Sequence, residues 1–354
     1  MSKTLRLFTA FSIVPQILVV NMLAKHPNVV EQYYSIALYP KISSTLRLLY
    51  GWVPFSVGDL LYITAIGYGL WWFFSHGKKL LKTPKNTITN FLVIASILYF
   101  LFHGFWGLNY YRLPLHKKQD LNPIYTTEQL IQTTRKIIDL TNTVHLELVN
   151  DSRALVVIPN DFDVLAKLSV KGYQNSAKKH PYLSYKNPSQ KLSLLSTPLA
   201  YMGFSGYLNP LTNEAQVNSH NPVNSMPMTL AHEQAHQIGY AAENEANFIG
   251  FLACVNNEDR YFRYSGYTFA LRYCLNELNR RSPELFKTLK AQINSGVIDD
   301  FKARQAHWAQ YNNPFEPLFK RIYSGFLKVN AQEHGIESYS YVVGLIVGYF
   351  QKKS

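Results

Sequence analysis

The sequence predicts a mostly α chain in two parts: three amino-terminal membrane-spanning helices, then a largely helical α+β domain. Three observations lead there. Apolar stretches long enough to cross a bilayer crowd the first 110 of the 354 residues. Charged residues make up only 16% of the chain and aromatic ones 14%, where an ordinary soluble domain carries ~25% charge. Past residue 110 the pattern turns to helices of ordinary length with conventional ends. This composition excludes a disordered chain, a collagen-like chain and a small disulfide scaffold. With two cysteines, Cys254 and Cys274, a C-x-x-C metal site is excluded too, and both read as plain buried residues on helices. The net charge of +13 is spread thinly, with no run of five Lys/Arg, so nucleic acid is not an expected partner.

The first span is residues 5–24. It is no cleaved signal peptide, because Pro15 and Gln16 interrupt the apolar run and no A-x-A site follows. Residues 53–74 and 88–108 supply the second and third spans, each near the ~20 residues that cross ~30 Å of hydrocarbon. Trp71 and Trp72, and again Trp106, Tyr110 and Tyr111, fit interfacial aromatic belts. The loop 76–86 carries four lysines and no acid, whereas the longer loop 25–52 carries Lys25, Lys41 and Arg47. Positive-inside counting therefore puts the second loop and the N-terminus in the cytoplasm, although Arg112, Lys117 and Lys118 after the third span count the other way. The expectation is a multi-pass protein of the cell (inner) membrane, with residues 1–110 in the bilayer and 111–354 on the outer, periplasmic side.

In the polar part, Thr126-x-x-Gln129 is a capping box opening a helix over 127–141. Asn160 or Asp161 caps the next helix, with Phe162, Leu165 and Leu168 on one face. Residues 180–197 read as an irregular connection, then 199–207 and 214–219 as short strands. Seven helices follow, at 226–237, 243–256, 267–279, 283–294, 298–310, 316–332 and 339–351. The last is apolar over only about ten residues, too few for a fourth span.

The chemistry lies in H-E-x-x-H, spelled by His232, Glu233, Gln234, Ala235 and His236. Residues i and i+4 share a helix face, so two imidazoles can bind one Zn2+ ion. Glu233 is then placed to take a proton from a water activated by the metal, as general base in peptide hydrolysis. A metzincin would carry a third histidine where Ala242 stands, so the third ligand is Glu243 or Glu245. On one straight helix Glu243 would lie about 10.5 Å beyond His236 along the axis. A break at Gly239 lets a second helix start near Ala242 and return a carboxylate to the ion.

The run Glu243-Asn244-Glu245-Ala246-Asn247 resembles the E-x-x-A-D motif of integral-membrane gluzincins, including prenyl-protein endopeptidases. That resemblance implies Glu243 as third ligand. It also sets Asn247 where those enzymes have an aspartate that orients a zinc histidine, and the spacing between the two motifs is shorter here. A wider likeness runs through the three spans, residues 205–218 (SGYLNPLTNEAQVN), HEQAHQIGYAAENEANF and RYSGY at 263–267. By these the chain is similar to a bacterial membrane family known as domain of unknown function 3810.

The reading is a membrane-anchored zinc metallopeptidase with a zincin-like domain, acting on a peptide or protein. His232, His236 and Glu243 hold zinc, and Glu233 is the base. The alternative is a non-hydrolytic zinc-binding sensor or assembly factor, which would have no use for Glu233. A transporter would want charges within the spans, and Arg6 and Asp59 lie only near span ends. Residues 214–219 read equally as an edge strand that pairs with substrate or as an ordinary hairpin strand. His220, Tyr264, Tyr267 and His334 are candidates for stabilising an oxyanion.

Overall fold

The computed structural model describes residues 2–158, 161–335, 337 and 341–352. The first span is α1 (Lys3–Phe11) and α2 (Ile13–Ala24), joined end to end at Ser12. Pro15 falls in the first turn of α2, where its missing N–H costs no internal hydrogen bond. Gln16 is satisfied inside the bundle, its Nε2 donating to Ser96 Oγ of the third span at 2.9 Å. Next come a single turn, α3 (Pro27–Val29), a π-helical stretch (Val30–Leu38) and α4 (Tyr39–Tyr50). Then α5 (Val57–Lys82) and α6 (Pro84–Phe105) form the second and third long apolar helices. Their side chains face outward, with Phe74 80% and Phe91 69% exposed, as a lipid-facing surface requires. Three helices are thus long and apolar enough to cross a membrane.

A 3-10 turn (Gly107–Tyr111) and α7 (Leu115–Gln119) lead into the polar half. There α8 (Thr127–Val149) opens with the expected capping box but runs two turns past residue 141. Asp161 caps α9 (Phe162–Lys179), its carboxylate accepting from the amides of Asp163 and Val164; Asn160 lies outside the described residues. The connection 180–197 holds a 3-10 turn (Pro181–Leu183) and a strand that was not expected, β1 (Gln190–Leu192). The expected strand 199–207 is half helix: α10 (Ser196–Met202) ends on Gly203 at φ +81°, and only Gly206–Leu208 is extended, as β2. With β3 (Ala215–Val217) these strands make one sheet in the order β1-β3-β2, β1 parallel and β2 antiparallel to β3. The strand from 214–219 is therefore central, both its edges are used, and it cannot receive a substrate strand. The free edge beside the site belongs to β2.

The remaining helices are α11 (Met226–Gln237), α12 (Glu243–Val255), α13 (Arg260–Arg281), α14 (Pro283–Lys290), α15 (Ser295–Ala309), α16 (Glu316–Val329) and α17 (Val342–Lys352). Part of the expected start of the last helix, at 339, lies outside the described residues. Leu130, Ile137, Phe248, Phe251, Leu271 and Ile346 sit in the main apolar core, built from α8, α9, α11–α13 and α17. Cys254 and Cys274 are free thiols within it.

A second, smaller cluster joins the halves: Val30, Tyr34, Tyr39 and Trp106 pack with Leu208 and Ala241. The stretch between the first and second spans is thus mostly helical and rests on the polar domain. Polar ties reinforce the junction. Glu214 beside β3 accepts the amides of Val57 (3.2 Å) and Gly58 (2.7 Å), putting a carboxylate on the N-terminus of α5. Asp59, one residue on, accepts from the Leu194 amide at 2.7 Å and from the Tyr207 hydroxyl.

Candidate metal centre

Pro227 starts α11, and Gly239, at φ +91°, ends it. The Gly239 amide reaches His236 O at 3.0 Å and the Tyr240 amide reaches Ala235 O at 3.1 Å. A Cβ on Gly239 would stand 2.8 Å from the Tyr39 ring, so only glycine fits both the φ and the space. After this turn α12 begins at Glu243, folded back so that its first residue faces the last turn of α11.

His232 Nε2 and His236 Nε2 face each other at 3.1 Å, and Glu243 Oε2 lies 3.3 and 3.6 Å from them. All three side chains offer a ligand atom within 4.8 Å of the others. Tetrahedral zinc with bonds of ~2.0–2.1 Å sets neighbouring donors about 3.3 Å apart, so the triad fits that ion. Two further observations agree. His236 Nδ1 is 2.7 Å from Tyr240 O, an atom that can only accept, so Nδ1 keeps a proton and Nε2 is the nitrogen that gives its proton up to present a lone pair to a metal. Glu243 Oε1 accepts from the Tyr323 hydroxyl at 2.8 Å, while its buried Oε2, the atom aimed at the imidazoles, has no hydrogen bond.

The charges are mutually dependent. Burial pushes the Glu243 carboxyl up, but the two facing imidazoles outweigh it and hold the group below the ordinary carboxylate range. Burial pulls His236 down, and Glu243 more than reverses this, lifting it to about 9. Glu233 is 3% exposed, and burial, only partly offset by the histidines, raises its pKa. A carboxylate raised in this way suits a general base. Its neighbour across the cavity is Gly206 of β2, where a Cβ would come within 2.6 Å of Glu233 Oε1.

Glu245 is turned away from this cluster. The Leu115 amide donates to its Oε1 at 2.6 Å, and burial pushes its pKa up to about 7. It is buried, and the hydrogen bond it accepts there comes from a backbone amide. Asn247 lines the cavity but makes no hydrogen bond to either imidazole among the described residues, and its Nδ2 has no partner. The place that the E-x-x-A-D likeness gives to residue 247 is filled for His236 by the Tyr240 carbonyl.

The outer surface of α11 is held by residues that the sequence did not connect with it. Tyr39 Oη donates to Gln237 O at 2.9 Å, Trp106 Nε1 to His236 O at 3.2 Å, and Arg112 Nη1 to Gly239 O at 2.7 Å. Arg47 donates to Gln237 O at 2.9 Å and to Asn213 Oδ1 at 2.6 Å. These donors saturate carbonyls at the helix C-terminus that have no partner within the helix. All four come from segments next to the spans.

The triad opens on a cavity of about 860 Å³. Tyr62 of α5 and Phe102 of α6 line it beside Leu199, Met202, Phe204 and Phe326, so its wall is largely apolar and partly built from spans. Of the four oxyanion candidates only Tyr264 reaches the lining, and its hydroxyl is given to Asp300. His220 Nε2 is 3.1 Å from Thr197 Oγ1, and His334 packs on Tyr341. Tyr323, which does touch the cluster, is one of 25 tyrosines with no local signal.

A family model described as a protein of unknown function (DUF3810) matches residues 34–347. The chain belongs to this family. Comparison with curated proteins and with solved structures finds no match for it. The DUF3810 region begins inside the π-helical stretch and ends in α17. It therefore includes both the triad and all four donors that hold α11.

Proposed function

We propose that this DUF3810 protein is a membrane-anchored, zinc-dependent metallopeptidase with a zincin-like domain that hydrolyses peptide bonds. One observation carries the reading: a closed triad of His232, His236 and Glu243 with an unpaired, buried Glu233 one residue from the first ligand, all at the wall of one large cavity. A purely structural zinc site would be closed by a fourth protein ligand; no fourth His, Cys, Asp or Glu joins this group among the described residues. Zinc, when bound, supplies Lewis acidity and lowers the pKa of a water to ~7. The chain does the rest. Glu233 holds the proton taken from the attacking water and can return it to the leaving amine. Tyr323 keeps Glu243 in place through Oε1, and the free edge of β2 offers backbone groups to an extended peptide.

The ligand assignment has a direct test. Glu243→Ala lowers zinc affinity by a hundredfold or more, because one of three protein ligands is gone. Glu245→Gln keeps an acceptor for the Leu115 amide and leaves zinc affinity within about threefold. Competition with a chelating dye reads both, and the reverse order would transfer the ligand role to Glu245.

We place the domain on the periplasmic side of the inner membrane, on the strength of the lysine-rich loop 76–86. The stretch 25–56 packs against the polar domain, which agrees with both being on one side of a three-span bundle. An alkaline phosphatase fusion after Ser354 is active and one inserted near Lys82 is silent. The opposite pair of signals would put the site in the cytoplasm.

A further inference from the structure

The cavity that holds the triad also takes in Arg272 of α13 and Arg304 of α15. The two fully buried arginines among the described residues are well bonded: Arg112 by Glu31 and Gly239 O, and Arg47 by four acceptors, the carbonyls of Lys186, Asn187 and Gln237 and the side chain of Asn213. Arg272 and Arg304 make no ion pair among the described residues, and Arg304 Nε is sealed from water without a hydrogen bond. The acid one turn before Arg304 is not free to serve. Asp300 accepts from Asn224 Nδ2 at 3.0 Å and from the Tyr264 hydroxyl. Lys320, the other cation on the lining, is occupied by Glu316 at 2.5 Å.

Arg272 lies over the Tyr273 ring at 4.6 Å, which fixes the plane of its guanidinium. Burial pulls the Arg304 pKa down to about 9, and the charge of Arg272 pulls it further the same way. Two half-buried guanidinium groups that repel each other, with no carboxylate paired to either among the described residues, are a costly arrangement. A bound anion offsets that cost and satisfies the open donors, and the guanidinium fork matches a carboxylate with two parallel hydrogen bonds.

We propose that Arg272 and Arg304 form a subsite for a carboxylate of the substrate. The substrate is then a peptide with apolar side chains against Phe204, Leu199 and Phe326, carrying a negative charge at its C-terminus or on an acidic side chain. This rests on the peptidase reading for the reaction, but not for the binding.

Binding is measured with zinc-loaded Glu233→Gln protein in detergent, so that cleavage plays no part. The probes are a fluorescent Leu/Phe pentapeptide with a free C-terminus, its C-terminal amide, and the same amide with one internal Glu; dodecyl phosphate serves as competitor. At least one acidic peptide binds tenfold or more tighter than the neutral amide, and which one identifies the source of the carboxylate. Adding Arg272→Gln and Arg304→Gln abolishes the preference while zinc content stays at the parent level. Arg304→Lys keeps the charge but loses the fork, and retains only part of the preference. The subsite is overturned if the neutral amide binds as well or as poorly as both acids, or if the preference survives in the double variant or is undiminished in Arg304→Lys. Dodecyl phosphate outcompeting both acids would assign the site to a lipid phosphate instead. Absent hydrolysis with an intact, arginine-dependent preference sinks only the peptidase reading.

Discussion

Glu233→Gln protein is expected to retain about one zinc per chain and to lose peptide hydrolysis by about 10²–10⁴-fold, the range that a general base contributes. The substitution keeps the shape of a side chain that is 3% exposed and touches none of the three ligand atoms, so the triad is left as it was. His236→Ala has the opposite signature, with metal content falling along with activity. It removes the nitrogen that stands 3.1 Å from His232 Nε2 and 3.6 Å from Glu243 Oε2. Metal analysis and a peptide-library cleavage assay on the same preparations separate the two outcomes. Hydrolysis by Glu233→Gln at the parent rate would sink the proposed base, and full zinc in His236→Ala would sink the proposed ligand set.

How much of this was legible in the sequence depends on how local each feature is. The helix that carries both histidines could be read to the residue, with Gly239 just past its end. The fold-back that brings Glu243 to the histidines follows from helix rise alone, since a straight helix could not reach. The three long apolar helices were plain in outline, as bilayer thickness fixes their length, but α5 and α6 start about four residues later and earlier, respectively, than the expected 53–74 and 88–108. What stayed hidden rests on contacts distant in sequence. Strands of three residues, such as β1, are too short to show a period of two. Residues 199–202 are apolar enough for either helix or strand, and Gly203 decides the matter by ending a helix. The largest omission was the segment between the first two spans. It reads as a loop because its polar residues break any apolar face, yet those residues are the ones aimed at α11. Arg47 meets Gln237 across 190 positions and Tyr39 meets it across 198. A positive charge there was counted for topology, where its role is structural.

Arg112→Met should be the most damaging substitution outside the cavity. Arg112 is 7% exposed and bonded to both carboxylate oxygens of Glu31 at 2.9 Å, so its removal leaves a buried charge with Lys118 as its one remaining ion-pair partner among the described residues. Breaking a buried pair in this way costs about 3–5 kcal/mol, read as a large drop in thermal midpoint. Replacing Glu31 by Leu in the same chain removes the stranded charge, so the double variant recovers most of the lost stability. Zinc affinity behaves differently. Arg112 also holds Gly239 O at 2.7 Å and lies 4.0 Å over the Tyr240 ring, and Tyr240 O is what orients His236. Groups that orient a ligand are worth about 10–100-fold in metal affinity. Both the single and the double variant should therefore bind zinc more weakly by about that factor, although the double variant is stable. If the double variant regains parent affinity along with its stability, Arg112 acts on the metal site only by holding the fold together, and the link from the span-flanking segments to the histidine has to be given up.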